Sequence, residues 1–538
     1  MRIDPIKLTN QSKLINDYRN NDKRIVDFFD YLPFENFEQR VRDLGDRVFP
    51  RELITDVLHT INENWDAPSS TLHNIKRLKK TDSVVVIGGQ QAGLLTGPMY
   101  TINKVISIIQ FAKQQEEELG IPVIPVFWIA GEDHDFDEIN HIFIPNKSKM
   151  KKIKVGQRLE GKYSVSDFPM DKEEVRQWMY RVFAGLHETE YTKDLYEMMM
   201  DCFNKSNTYT DFFARIIFQL FNDDGLVLID SAHPLVRKIE EPYFVQMIEN
   251  QSKLSSGVYD TLEKLRQEGY QVALEADINS GNLFYHKENE RILLTCNESG
   301  DWVGKQDEVV FTTEEMIAIA KHQPEKLSNN VVTRPIMQEM LFPSLTFIGG
   351  AGEIAYWATL KSSFHAMGIK MPPVLPRLSF TFIESRLEKL LAKFGIDESY
   401  AVNNGMHEYK DNWLKSKSNP PIHELANTLK QSIEMAHKPL KDIATDIRSD
   451  LGALAEKNLQ YLFRDVEFLE GRIMKGLEDK FSKELHEIDT IHLMLHPDGL
   501  QERTWNPLFY MNKYGVEFIR EIIETSLSFE NEHYIICL

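Results

Sequence analysis

Apolar positions follow two different patterns along this chain. Between residues 83 and 375 they gather into short uninterrupted runs: 83–87, 122–129 (PVIPVFWI), 225–230 (GLVLID), 345–348 (LTFI) and 373–375. Runs that are apolar at successive positions predict strands covered on both faces, as in a parallel sheet packed between helices. The first two runs flank a helical segment, residues 99–119, so strand, helix and strand read as one βαβ unit. Its recurrence predicts an α/β fold with a Rossmann-like doubly wound core. Residues 1–80 read as amphipathic helices, for example over 37–64. Two insertions separate the core strands. One, about 145–211, is mostly helical; the other, about 233–328, alternates over 271–311 like antiparallel strands broken at Gly281 and Gly300.

After Arg377 the period changes. From Ile422, apolar residues recur at alternating steps of three and four through Leu425, Leu429, Ile433 and Ala436 as far as Leu485. Such a seam, sustained over several heptads, predicts a C-terminal α-helical coiled-coil domain over 379–538, beside a core over 1–378. At about 1.5 Å per residue, ~60 residues would extend roughly 90 Å if continuous, with Pro439 expected to kink or interrupt the arm. The stripe must pair with another helix of this chain, with a second copy, or with both. Intrachain helices such as those of 504–526 could also satisfy it alone.

A length of 538 residues predicts two or three domains. The N-terminus MRIDPIKLTNQSK has no apolar signal core, and no uncharged apolar run reaches about 18 residues, so a cytoplasmic protein away from membranes is expected. Cys202, Cys296 and Cys537 lie far apart with no C-x-x-C pair, which fits a reducing compartment and speaks against a thiolate zinc site. A formal net charge of −20 repels polyanions and favours a small-molecule substrate over nucleic acid.

Three stretches carry candidate chemistry. The first, VVVIGGQQAGLLTGPMYTINK, passes from a strand through a glycine loop into a helix, the usual cradle for an anionic group. Gly88, Gly89 and Gly97, with Gln90, Gln91 and Thr96, are its candidate phosphate contacts. The glycine spacing is neither GxGxxG nor Walker A, and Lys104 sits two turns into the helix; a tight turn without a ligand is the alternative. The second is GEDHDFDEINH, emerging where an open α/β sheet places its ligand crevice. There Asp133, His134 and Glu132 are candidates for proton transfer. Alternatively Glu132, Asp133 and Asp135 could hold Mg²⁺, His134 and His141 could join a transition-metal site, or the whole stretch could be a solvated acidic loop. The third, FIGGAGEIAYW, exposes Gly349, Gly350 and Gly352 to a ligand and places Glu353 in a first helical turn. Arg334, after a strand-like run, and Arg377, closing VLPR, could each clamp a carboxylate or phosphate, or form a structural ion pair.

The strings GGQQAGLLTGPMYT, PVFWIAGEDHDFDEIN, TRPIMQEMLFPSLTFIGGAGEIAYW and LQERTWNP resemble the cysteine-adding ligase family of bacillithiol biosynthesis, over essentially the whole chain. The resemblance implies addition of L-cysteine to the amine of glucosaminyl-malate. It also implies a Rossmann core with two connecting-peptide insertions like those of class I aminoacyl-tRNA synthetases, a coiled-coil domain, a homodimer, and nucleotide binding in the core crevice. The chain departs from the synthetase pattern. TGPMYTINK has no HIGH histidine, no KMSKS loop is present beyond the short strings NKSKM and KSKS, and no Cys and His zinc site is evident. ATP or ADP is the expected cosubstrate, with Mg²⁺ a candidate. In this reading Asp133 or His134 is the base, and Asp135, Arg334, Glu353, Tyr356 and Arg377 form the substrate-binding set. The alternative is a nucleotide-binding scaffold or regulatory protein without catalysis of its own.

Overall fold

The computed structural model describes residues 1–146, 148–158, 161, 163–288 and 290–538; Lys147, within the NKSKM string, lies outside the described residues. Five parallel strands form the central sheet: β1 (Val84–Gln90), β2 (Val123–Ile129), β3 (Val227–Asp230), β4 (Ser344–Gly349) and β5 (Val374–Pro376). They lie in the order β3-β2-β1-β4-β5, with Val84 opposite Val123 and Phe347 opposite Ile87. Every residue of β2 and β3 is buried, as continuous apolar runs require of strands covered on both faces. The chain order reverses between β1 and β4. That switch point is where a doubly wound sheet opens its ligand crevice, beyond the carboxyl ends of the strands.

Helix α1 (Met99–Leu119) links β1 to β2 and ends at Gly120, whose φ of 65° places it in the left-handed region and whose N–H bonds the Glu116 carbonyl. Its core-facing side carries Ile102, Val105, Ile106, Ile108 and Phe111, each burial contributing roughly 1.5–3 kcal/mol. The expected helices of 37–64 form as two, Phe37–Gly45 and Arg51–Asn64. Between β2 and β3 the first insertion is mainly helical, but it opens with an antiparallel hairpin, His141–Asn146 against Lys149–Lys154, that the sequence reading did not foresee. Between β3 and β4 the chain builds two helices and then a five-stranded antiparallel sheet from residues 280–329. Arg334 follows the short strand Leu327–Asn329 and lies in the first turn of the helix Thr333–Leu341.

In the arm the seam is paired within the chain, one of the partners its pattern leaves open. Helix α3 (Ile422–Ile447) and helix α4 (Ser449–Lys480) run antiparallel as a hairpin, tied across by Lys430–Glu467, Lys441–Glu456 and His423–Glu470 pairs. Its legs measure roughly 39 and 48 Å at about 1.5 Å per residue, rather than one rod of 90 Å. The turn is at Arg448, in extended backbone (φ −168°, ψ 138°), and Pro439 sits inside α3 without ending it. Gly452 permits the close crossing, since a Cβ there would lie 2.5 Å from Thr445 Oγ1. A three-stranded sheet also joins both ends of the chain. Arg2–Ile6 pairs antiparallel with His533–Cys537, which runs parallel to Phe380–Ile383. Among the described residues no helix is long and apolar enough to cross a membrane.

Candidate functional site

The carboxyl ends of β1 and β4 lie side by side, bringing the two glycine loops to one crevice. Gly88 and Gly89 are needed for the sheet itself. A Cβ on Gly88 would lie 2.9 Å from the Ile348 carbonyl oxygen, and one on Gly89 would lie 2.6 Å from that of Trp128. Beyond them the first loop is closed. Leu95 and Thr96 adopt left-handed backbone (φ 49° and 74°), Thr96 and Gly97 are buried, and the Thr96 hydroxyl has no hydrogen-bond partner among the described residues. Asn506 Nδ2 donates to the carbonyls of Leu95 (3.1 Å) and Gly97 (2.7 Å), and the Met99 N–H at the start of α1 donates to the Trp505 carbonyl. The segment QERTWNP therefore covers the cradle in which a phosphate was expected.

Beneath the switch point lies Lys104, 1% exposed. Its ammonium donates to Gly89 O (2.6 Å), Gln90 Oε1 (3.2 Å) and Glu353 Oε2 (2.5 Å). Burial pulls its pKa down, and Glu353 works against that shift. Glu353 also accepts the Gly350 N–H, capping the short helix α2 (Ala351–Trp357). Lys104 thus joins the two loops. Gln90 is spent on Lys104, and Gln91 Nε2 donates to Asp133 Oδ2 at 3.4 Å.

The acidic stretch divides by burial. Glu132 is buried, accepting from Arg237 Nη2 (2.6 Å) and the Asn329 N–H (3.3 Å), and Arg237 also reaches Glu240. Asp133 and His134 are half-buried and Asp135 is exposed. Arg291, from the antiparallel sheet, donates toward Asp133 Oδ1 and His134 Nδ1. The crevice acids do not gather as a metal-binding group. Among the described residues such a group forms only at Glu388, Glu398 and Cys537, where Arg2 already bonds Glu398 and the Cys537 sulfur.

The two arginines separate as well. Arg377 grips Glu502 with both Nη atoms (2.8 and 2.6 Å), and Asn103 bonds the same carboxylate. Arg334 forms no ion pair among the described residues; Nη2 donates to Tyr356 OH at 3.1 Å. Burial opposes its charge, but Tyr356 and Asp133 outweigh that and hold its pKa above the usual value. Burial raises the Tyr356 and Tyr100 hydroxyls in turn. Beside this group a cavity of about 580 Å³ runs along Gly349–Tyr356 and Arg377 to Asn10, Asn403 and Arg503, a volume typical of a small-molecule or cofactor site.

Lys104, Tyr100, Arg291 and Glu502 were not anticipated. Lys104 is the one charge among residues 99–112 of helix α1, and Glu502 belongs to the unusual string LQERTWNP; nothing in the sequence near Arg291 marks it.

Two family models cover the chain. The description "Bacillithiol biosynthesis BshC, N-terminal Rossmann-like domain" matches residues 1–378, and "Bacillithiol biosynthesis BshC, C-terminal coiled-coil domain" matches 380–538. The chain belongs to the BshC family. A relative from Oceanobacillus iheyensis is 43% identical over 543 residues, spanning all of both chains. One from Bacillus cereus strain Q1 is 40% identical over 98% of each. Both carry the name "Putative cysteine ligase BshC". A solved structure titled a putative arginyl tRNA synthetase from Campylobacter jejuni aligns at 9% identity over 89% of this chain and 99% of its own, with a TM-score of 0.23, and carries no argument.

Proposed function

We propose that this BshC-family chain is a ligase that joins L-cysteine to the amine of glucosaminyl-malate, using a nucleotide to activate the cysteine carboxyl. The observation that carries the reading is Arg334: a cation in the crevice, bonded to a tyrosine hydroxyl and, among the described residues, to no carboxylate. A guanidinium so placed suits a malate carboxylate, which it can take bidentately. Arg377 is already committed to Glu502, so Arg334 is the better candidate. ATP or ADP is assigned to the cavity beside Gly349, Gly350 and Gly352, the loop that stays open. Attack requires an unprotonated amine, and Asp133 and His134, half-buried beside the crevice, are the candidates for its base. The reaction belongs in the cytoplasm, where cysteine stays reduced.

The test is to incubate pure protein with cysteine, glucosaminyl-malate and a panel of nucleotides, following product mass and the release of AMP or ADP. Arg334→Ala should raise KM for the malate compound about 10- to 100-fold, the worth of a charge-assisted hydrogen bond, with little effect on cysteine. An unchanged KM would remove Arg334 from substrate recognition.

The reading includes a homodimer through the α3–α4 hairpin. Although the helices pack on each other, Met435, Leu440, Ile447, Leu454 and Phe468 remain 62–70% exposed. Exposed apolar patches of this kind mark association surfaces. Replacing residues 422–480 by a short linker should yield a folded monomer by light scattering; a dimer of unchanged mass would end that part of the proposal.

A further inference from the structure

Arg291 closes the crevice wall that carries Asp133 and His134. It belongs to the strand Glu290–Cys296 of the second insertion and is 5% exposed. Its guanidinium lies 3.8 Å from the centroid of the Phe284 ring. Nε donates to Ser328 Oγ (3.1 Å) and Nη2 to the Asn329 carbonyl (2.7 Å). Nη1 is shared, lying 3.4 Å from Asp133 Oδ1 and 3.4 Å from His134 Nδ1.

The chemistry of that last contact is one-sided. A guanidinium has donors only and remains charged, so His134 Nδ1 must accept, and an accepting ring nitrogen carries no proton. The neutral ring then holds its proton on Nε2. Taking up a second proton would turn Nδ1–H against Arg291, donor to donor and cation to cation. Among the described neighbours, His286, bonded to Ser328 Oγ at 2.8 Å, is held neutral with its pKa pushed down to about 3 by burial and by Arg237 and Arg291, Glu132 is paired with Arg237, and the Asp133 carboxylate shares Nη1 of Arg291 with the ring.

We propose that Arg291 is a positioning residue that divides the labour of the pair, holding His134 as a neutral Nε2–H donor and leaving Asp133 as the proton acceptor. The assignment of roles rests on the ligase reading. In the step it describes, the amine lone pair forms the C–N bond to an acyl phosphate or acyl adenylate of cysteine. The C–O bond to the phosphate leaving group breaks with its electron pair, and the surplus amine proton passes to the Asp133 carboxylate. His134 takes up no proton.

The first experiment reads the ring directly, by NMR of the full-length protein labelled at its histidine ring nitrogens, with His134→Gln identifying the signals. Near neutral pH, His134 Nδ1 should resonate as an unprotonated nitrogen and Nε2 as a protonated one. Arg291→Gln should move both signals toward the positions of a ring exchanging between tautomers. Arg291→Lys, which keeps a donor but loses the fork, should move them part of the way, and it serves if the glutamine variant fails to fold. A wild-type ring protonated on Nδ1, or signals unmoved in a folded Arg291 variant, would overturn the proposal. The kinetic arm compares Asp133→Asn, expected to cut turnover 10²- to 10⁴-fold, with His134→Gln, which retains a donor and should lose about tenfold. The reverse ranking also overturns it. If the wild type forms no amide with any donor, the ligase reading fails, while the ring spectrum still decides whether Arg291 sets the tautomer.

Discussion

The two glycine loops at the switch point are similar in sequence and opposite in exposure. The Gly88–Gly97 loop is sealed: its first glycines pack against neighbouring strands, its left-handed residues are buried, and Asn506 and Trp505 satisfy its backbone. The Gly349–Gly352 loop borders the large cavity, and a Cβ at Gly352 would meet nothing within 4 Å. A glycine-rich turn therefore has two distinct uses, close packing of backbone and access for a ligand. Only the neighbours decide which applies.

Substitutions can sharpen that contrast. The largest effect is expected at Gly89→Ala, where the new methyl would press on the Trp128 carbonyl and destabilise the fold on the order of 3 kcal/mol. Denaturant titration against the wild type measures it, and an unchanged midpoint would mean the sheet is looser there than the 2.6 Å approach implies. Next comes Asn506→Ala, which strands two buried carbonyls of the sealed loop and should cost about 1–3 kcal/mol. Retained stability, with faster proteolysis near residue 96, would instead make the seal a gate. Thr96→Val should stabilise by up to about 1 kcal/mol, because the buried hydroxyl it deletes has no partner among the described residues. A loss of nucleotide affinity in that variant would show that the hydroxyl does meet phosphate and that the loop opens. The smallest effect belongs to Gly352→Ala. In an open first turn of α2 it should be neutral or gain up to about 0.5 kcal/mol, and a marked loss of stability would contradict the open loop.

The parallel core was legible because strands buried on both faces need unbroken apolar runs, and all five run within three residues of where the sequence places them. The end of α1 was equally plain in Gly120. The hairpin of the arm was not, since a heptad seam reads the same whether its partner is the same chain or another, and Arg448 carries no turn signal. The candidate site was legible in part. Asp133, His134, Arg334 and Glu353 do reach the crevice, where Asp133 meets Arg291 and Glu353 meets Lys104, while Glu132 and Arg377, of the same residue types and in equally suggestive strings, are taken up by Arg237 and Glu502. Residue type and local spacing carry no information about which charge finds an internal counter-charge.

By itself the sequence determined what depends on local periodicity and backbone freedom: the βαβ order, the helical arm, the glycine turns, and through its long strings the family. The tertiary structure decided what depends on contacts across hundreds of residues. It paired Arg2–Ile6 with His533–Cys537, laid Trp505 and Asn506 over the first loop, set Lys104 beneath both, and brought Arg291 to His134. A buried charge or donor is defined by what surrounds it, and in this fold those surroundings come from distant parts of the chain.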